Sequence, residues 1–378
     1  WKYRGATNSD LIRGLVQRLL EHPDGFTGEV VIIENGQGRG SLNCDTSSTY
    51  GGDAGVHANA NDERHSFLYL VDSVFRDPRV SAVLLDPFRA TFIGEADHVT
   101  NGYRRHGSVS YPCFSTPGGR RVELREGIWN GTTHVPGLKL INVPVLKHHD
   151  TGGSEFTASL KHFYGIVSMD DGQSGPRHYS GLGETAGRMA ASVVTPVLNI
   201  IDAIWVSQGT LGGWPESSTF RANQLLAGQD PVALDAWAAR HILYPIDGNA
   251  RHDPDFPGVD RWLSEARDTI NGLGGLFSAE KGILVDRVTR SETEMSVHDC
   301  LAGRNIDAAR LDLSDALVAV LASTADAREH VRPLAVTVTG GRALSWQAGG
   351  DAGWFDVEPA AGTGNAEVVI RVRPAGLE

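Results

Sequence analysis

Short runs of apolar residues, separated by helical patterns, constrain the fold of this chain more than any other feature. They occupy residues 30–33, 82–85, 140–145 and 198–206 of the 378-residue sequence. Mostly apolar runs of this length are typical of strands that are buried on both faces, as the strands of parallel sheets are. Because helices connect successive parallel strands, the alternation predicts an α/β fold: a mainly parallel sheet with helices on both faces.

Two regions depart from this pattern. From about residue 100 to 135 the chain is hydrophilic with short alternations, which predicts a β-rich insertion. After about residue 330, short segments alternate like strands with turn residues between them. We therefore predict an α/β domain over residues 1–330 and a small all-β appendage over 331–378, short enough to be a truncated module.

Composition argues against several kinds of partner and cofactor. The formal net charge of −12 disfavours nonspecific binding to nucleic acid or to an anionic membrane. No run reaches the roughly 18 apolar residues of a membrane span, so the sequence predicts a soluble protein. Cys44, Cys113 and Cys300 are far apart and form no C-x-x-C pair, which argues against an iron–sulfur cluster. One disulfide with one thiol left over is compatible with their spacing.

The loop after the strand at 140–145 concentrates basic and imidazole groups in an acidic protein. In open α/β sheets, ligands bind beyond the carboxyl ends of strands, beside helix N-termini. We predict a helix over 154–166 whose glycine-opened start leaves backbone N–H groups for a phosphate or carboxylate. The predicted site for a small anionic molecule has the catalytic candidates Lys147, His148, Lys161 and Asp202 and the substrate-binding candidates Asn142, Ser154, Thr157 and Trp214.

Each basic group of this loop also has a structural interpretation. Lys147 and Lys161 would hold the anion and His148 would be a base or a metal ligand. Alternatively, Lys161 is solvated and His148 satisfies a backbone group. For His149 and His162 both interpretations stay open, because adjacent residues point apart on a strand or a helix.

Two aspartates could take part in this chemistry. Asp202 lies inside an apolar strand, where a carboxylate must be paired, so both a structural pairing and a role in orienting a catalytic group stay open. Asp230 precedes Pro231, a pattern typical of a helix N-cap. If the cofactor is a divalent metal, His148, Asp202 and Asp230 are its predicted ligands.

Four motifs resemble those of a known family. They are NVPVLKHH at 142–149, TASLKHFYG at 157–165, LNIIDA at 198–203 and QDPVALDA at 229–236. In this order they are similar to the family called domain of unknown function 362, and the resemblance extends over about residues 1–290. It implies an α/β fold but no settled activity. Many members adjoin ferredoxin-like cysteine motifs, and this chain has none. The C-terminal segment, with Trp354, Pro359 and Gly362, faintly resembles the BACON-type β-modules of secreted proteins.

The sequence therefore predicts an enzyme that acts on a small anionic or polyhydroxy substrate by lysine and histidine acid–base chemistry, with or without a metal. The alternative is a noncatalytic, extracytoplasmic ligand-binding protein that uses the same residues for recognition. The location stays open, with an extracytoplasmic one favoured. The reaction class, the substrate and the oligomeric state stay open at this point.

Overall fold

The computed structural model of the chain divides into two compact units, Trp1–Glu292 and Thr293–Glu378. The boundary predicted between residues 330 and 331 lies inside the second unit. The structure describes residues 5–35, 67–85, 92–98, 100–149, 155–172, 176–210, 216–279, 281–289, 295–300, 304–307, 310–313, 329–339, 345–349 and 353–374.

The first unit begins with a helix and a parallel strand pair. Its elements are α1 (Ser9–Leu20), β1 (Val30–Glu34), α2 (Phe67–Tyr69), which continues as a π-helical segment (Leu70–Phe75), and β2 (Val80–Leu84). Strand β1 pairs parallel to β2. Asn8 caps α1, because its side chain accepts a hydrogen bond from the Asp10 N–H. Ile12 and Val16 bury the apolar face of α1 against β2, so burial fixes these elements together.

An antiparallel sheet follows. Its strands are β3 (Gly102–His106), β4 (Val109–Ser115), β5 (Arg121–Glu123), β6 (Gly127–Trp129) and β7 (His134–Val135). Each strand pairs with the next one along the chain. The meander occupies the region in which the alternating sequence predicted a β-rich insertion. Such alternation indicates strands, because every second residue of a strand faces the same side.

The predicted mainly parallel sheet is wrong. The central strands of the first unit are β8 (Leu140–Asn142), β9 (Val145–His148), β10 (Phe156–Thr157), β11 (Pro196–Ser207) and β12 (Thr219–Gly228). Strand β11 is parallel to β8 and β9, but β12 is antiparallel to β11 and β10 is antiparallel to β9. Parallel neighbours need a crossover of about a dozen or more residues. The connections β9–β10 and β11–β12 have 7 and 11 residues, too few for such a crossover, so the sheet is mixed.

The helices of the first unit that follow β10 are short and many continue as 3-10 or π-helical turns. They are α3 (Ser159–His162) with the turn Phe163–Gly165, α4 (Met169–Gly172), the turn Pro176–Ser180, α5 (Leu182–Arg188) with Met189–Val193, the turn Glu216–Ser218, α6 (Pro231–Ala238) with Ala239–Leu243, α7 (Tyr244–Asp247), the turn Ala250–His252 and α8 (Pro257–Gly272). None of the helices that the structure describes is both long and apolar enough to cross a membrane.

The helix predicted over 154–166 begins later than expected. Phe156 and Thr157 form β10 opposite His148 and Lys147. Glu155 has a φ of +48°, a left-handed conformation that ends any helical course at that point. Helix α3 therefore starts only at Ser159, because the chain first returns along β9.

The helices and strands that the structure describes in the second unit are all strands. Its strands are β13 (Met295–Asp299), β14 (Arg304–Asp307), β15 (Arg310–Leu313), β16 (His330–Thr339), β17 (Ser345–Gln347), β18 (Phe355–Glu358), β19 (Ala361–Thr363) and β20 (Ala366–Val372). Strands β15, β16, β20 and β18 form an antiparallel sheet, and β17 pairs with β19. A core of Leu334, Val336, Trp346 and Val368 lies beneath them, so the C-terminal alternation buries one face, as alternating strands do.

Candidate functional site

Lys147 lies near the carboxyl end of β9, opposite Thr157 of β10 and Ser207 of β11. Its Nζ donates a 2.7 Å hydrogen bond to the carbonyl oxygen of Gly5. The residue keeps partial exposure, yet desolvation lowers the pKa of Lys147 to about 8, because an ammonium group loses hydration when it is enclosed. Lys147 is therefore a cation at neutral pH that releases its proton only slightly above neutrality, as lysines with acid–base roles do.

The N-terminal segment of the chain lies across this part of the sheet. Besides the Gly5 contact, the Thr7 hydroxyl donates to the Val143 carbonyl at 2.9 Å. The Asn8 N–H donates to Asp202 at 2.7 Å. Residues 5–8 therefore bind β9, β11 and the link between β8 and β9 together, and the Gly5 carbonyl is the group that a ligand of Lys147 must displace or accommodate.

A chain of buried amides fixes the tautomer of His162. The Asn199 amide nitrogen faces the carbonyls of Gly228 and Gln229, so its oxygen accepts from the Asn142 amide at 3.0 Å. The Asn142 oxygen is thereby turned toward His162 Nδ1, 2.7 Å away. Because that oxygen can only accept, Nδ1 carries the proton and Nε2 keeps a lone pair.

Lys147 and His162 influence each other electrostatically. Burial first, and then the positive charge of Lys147, lowers the pKa of His162 to about 4. At physiological pH the pair is therefore an ammonium group beside a neutral imidazole. Such a pair offers a proton donor and a proton acceptor at one place, which is the minimum for acid–base chemistry.

Lys161 belongs to a neighbouring aromatic cluster. Its Nζ lies 4.1 Å from the centre of the Tyr164 ring and 3.4 Å from the His178 carbonyl oxygen. The His178 ring lies 5.3 Å from that of His149. The Tyr164 hydroxyl donates to the Arg177 carbonyl, and burial raises the Tyr164 pKa. The ammonium group of Lys161 is thus stabilised by a ring face.

His148 contacts a histidine that the sequence did not single out. Its Nδ1 lies 2.9 Å from Nε2 of His252, which is fully buried. Two ring nitrogens at this distance share one proton, so one of them donates and the other accepts. A role for His148 as base or metal ligand would therefore fall to its Nε2.

Both predicted metal-binding aspartates accept backbone hydrogen bonds. Asp202 accepts from Asn8 and Ile204, and burial raises its pKa to about 6. Asp230 caps α6 by accepting from Val232 and Ala233, and its second oxygen accepts from the Thr289 N–H. These contacts are those of structural carboxylates, whereas metal binding by either residue stays a prediction.

The start of α3 is already occupied by a carboxylate of the chain itself. Asp235 accepts hydrogen bonds from the N–H groups of Ser159 and Leu160, at 2.7 and 2.9 Å. The anion site was predicted at the N-terminus of a helix beginning at Ser154. That helix start is wrong, because α3 begins at Ser159. Burial raises the pKa of Asp235 to about 7, although both N–H groups favour the charged form.

Of the predicted site residues, the structure brings Lys147 and Asn142 together with His162 and sets Thr157 opposite Lys147 on β10. Ser154 and Trp214 lie outside the described residues. The residues missed from the sequence are Asn199, Tyr164, His178 and His252, together with Glu34 at the end of β1, whose pKa burial raises to about 7. Their sequence signal was weak, because each lies far along the chain from its partner.

The fold and these contacts define a mixed-sheet α/β domain with an enclosed lysine–histidine pair. Residues 138–240 match the model of the family described as domain of unknown function (DUF362). This match confirms the resemblance on the segment that carries Asn142, Lys147, His162 and Asp202. No curated protein and no solved structure matched the chain. The match does not reach the C-terminal unit, so its resemblance to BACON-type modules stays a prediction.

Lys147→Met is expected to stabilise the protein at pH 7 by about 2 kcal/mol. The pKa of about 8 lies below the value of about 10.4 in an unfolded chain, so the unfolded state binds more protons between these pH values. The free energy of unfolding of the wild type therefore rises with pH across this window. The full difference between these two pKa values corresponds to about 3 kcal/mol of unfolding free energy. The loss of the hydrogen bond to Gly5 offsets about 1 kcal/mol of this gain.

Urea denaturation at pH 7 and pH 10 measures this effect, because the advantage of Lys147→Met should shrink at the higher pH. The matched control is Lys139→Met. Lys139 is exposed and also donates to a backbone carbonyl, that of Lys281 at 2.9 Å, but it should show no such pH dependence. An advantage of Lys147→Met that is the same at both pH values would contradict the enclosed ammonium group.

Proposed function

We propose that the first unit is an enzyme that acts on a small anionic substrate by acid–base chemistry, with Lys147 and His162 as its central pair. The observation that carries the proposal is the Lys147 ammonium group, which donates to the Gly5 carbonyl at 2.7 Å beside a histidine that burial keeps neutral. An enclosed ammonium group costs stability. Perturbed groups of this kind are typical of functional sites.

Each group has a distinct role in this proposal. The Lys147 ammonium binds the anionic part of the substrate and donates or recovers a proton near pH 8. The His162 Nε2, whose lone pair is fixed by the Asn142–Asn199 chain, accepts a hydrogen bond from a substrate hydroxyl or from Lys147. Lys161 supplies a second positive charge, held over the Tyr164 ring. Two positive charges attract a small anion, whereas the net charge of −12 repels a polyanion.

The test begins with ligands. Inorganic phosphate, sulfate, small phosphate esters and hydroxy acids are screened for an increase in Tm at pH 7.5, and the affinity of each hit is measured by calorimetry. A charge-assisted hydrogen bond contributes about 1.5–3 kcal/mol, so Lys147→Met should weaken binding at least about tenfold. Lys139→Met, which removes an exposed lysine, should bind like the wild type. Equal affinity in Lys147→Met would overturn the assignment of the site.

Turnover then separates an enzyme from a binding protein. Hits are incubated with the wild type and followed by proton and phosphorus NMR. The proposal expects conversion that Lys147→Met and His162→Ala abolish, with a rate that changes around pH 8 as Lys147 loses its proton. Ligands that bind through Lys147 but stay chemically unchanged would instead establish the noncatalytic alternative.

A further inference from the structure

A second cluster of ionisable side chains lies on the antiparallel meander β3–β7, apart from the lysine–histidine pair. Register places Cys113 of β4 opposite Glu123 of β5, and Trp129 of β6 opposite His134 of β7. Residues directly opposite each other in antiparallel strands share a face. Because β5 and β6 pair with Glu123 opposite Gly127, Glu123, Trp129 and His134 all lie on one face of the meander.

The tight β6–β7 pairing that brings His134 to this face depends on a glycine. Gly127 has a φ of +112°, and a Cβ atom there would lie 2.4 Å from the Val135 carbonyl oxygen. Only glycine adopts this conformation without strain and leaves room for that carbonyl. Gly127 thus permits the strand pairing that brings His134 to the face on which the cluster lies.

Three potential metal ligands converge there. One donor atom from each of His98, Glu123 and His134 lies within 4.8 Å of the other two. Glu123 Oε1 is 3.3 Å from His98 Nδ1 and 3.7 Å from His134 Nε2. In a tetrahedral zinc site with bonds of about 2.0–2.1 Å, the ligand atoms are about 3.4 Å apart. Two of the three separations already match, and the third is at most 4.8 Å.

The surroundings hold these ligands in place. The Trp129 ring stacks on His98 at 4.1 Å with planes 8° apart. Arg104 Nη1 lies 2.6 and 2.8 Å from the two oxygens of Glu123, and a carboxylate has about four lone-pair positions, enough for both an arginine and a metal. Partners that orient the ligands from outside are a regular feature of metal sites.

His98 provides a second, independent observation. Its Nδ1 atom is buried and has no hydrogen-bond partner among the residues that the structure describes. The nearby Glu123 oxygen lies within ion-pair distance of it but is not a hydrogen-bond partner. Buried polar atoms are nearly always satisfied, so an unsatisfied nitrogen 3.3 Å from a buried carboxylate oxygen requires an explanation. A cation between the two atoms supplies one.

We infer that His98, Glu123 and His134 bind a divalent transition-metal ion of the zinc class. Two imidazoles and one carboxylate suit zinc, cobalt(II) and related ions, and they leave coordination positions for water or an outside ligand. Calcium and magnesium prefer sets of oxygen ligands, so they should bind poorly. The inference is independent of the proposed function of Lys147 and of the metal ligands predicted from the sequence.

Cobalt(II) titration of the full-length protein tests the site, with zinc as competitor. The wild type should show the visible absorption of a bound cobalt ion, and zinc should displace it. Loss of an outer partner typically costs 10–100-fold in metal affinity. His98→Ala and His134→Ala remove ligands and should therefore lose about 100-fold or more. His106→Ala, on β3 of the same sheet but outside the cluster, should bind like the wild type.

Tryptophan fluorescence gives a second readout that does not need the ligand variants to fold. Cobalt should quench Trp129, which contacts both imidazoles, and Trp129→Phe should lose most of that quenching while still binding cobalt. The site is refuted if the wild type takes up no zinc or cobalt in equilibrium dialysis. It is equally refuted if folded His98→Ala and His134→Ala proteins bind cobalt with unchanged affinity.

Discussion

Asp235→Ala is expected to destabilise the first unit by about 2–6 kcal/mol, because two buried N–H groups lose their acceptor. The carboxylate is fully buried. Each of its oxygens accepts one backbone N–H of the first turn of α3, those of Ser159 and Leu160. Alanine would leave both donors without an acceptor in the core, and each such group costs about 1–3 kcal/mol.

The measurement is urea denaturation followed by circular dichroism. Asp268→Ala is the matched control, because Asp268 lies on the exposed side of α8 with Arg267 as its partner. That change should stay within about 0.5 kcal/mol. A loss of less than about 1 kcal/mol in Asp235→Ala would show that the first turn of α3 finds other acceptors.

Asp235 also connects stability to the proposed function. Helix α3 has only four residues, so its orientation depends on its contacts rather than on its own hydrogen bonds. The carboxylate fixes the first two residues of the helix, and Lys161 and His162 follow them directly. Folded Asp235→Asn, which keeps one acceptor oxygen, should therefore bind ligands of Lys147 more weakly than the wild type.

The sequence predicted strands better than it predicted their directions. The apolar run at 198–206 is β11, because a buried strand needs apolar residues whatever its neighbours are. The direction of a neighbour depends on the connection, and that is where the prediction failed. Seven residues separate His148 from Phe156, enough for a return along the same strand but too few for a crossover.

The sequence predicted only those residues of the candidate site that are recognisable from their immediate sequence neighbours. Lys147 follows an apolar strand, and that position alone marked it as a candidate. Asn142 and Asn199 are 57 residues apart and His148 and His252 are 104 apart, so only the folded chain shows that they meet. The same holds for His98 and Glu123, since alternation indicates a strand but not the residue opposite.

Gly183→Ala is expected to destabilise the first unit by about 3–4 kcal/mol. A Cβ atom at position 183 would lie 2.1 Å from the Trp262 carbonyl oxygen of α8. Backbone cannot rotate away as a side chain can, so α5 and α8 would have to separate, which places the cost above the usual range for overpacking. Gly187, four residues later on the same face, meets the Ala266 carbonyl at 2.8 Å.

Gly14→Ala provides the opposite control for this packing, and thermal denaturation compares the two variants. Gly14 lies inside α1, and a Cβ atom there meets nothing within 4 Å. Alanine is favoured over glycine in a helix by about 1 kcal/mol, so Gly14→Ala should raise the Tm. Comparing the two variants separates the effect of the backbone contact on stability from that of helix propensity, because both changes add the same methyl group to a helix. If Gly183→Ala also raised the Tm, α5 and α8 would not be in backbone contact.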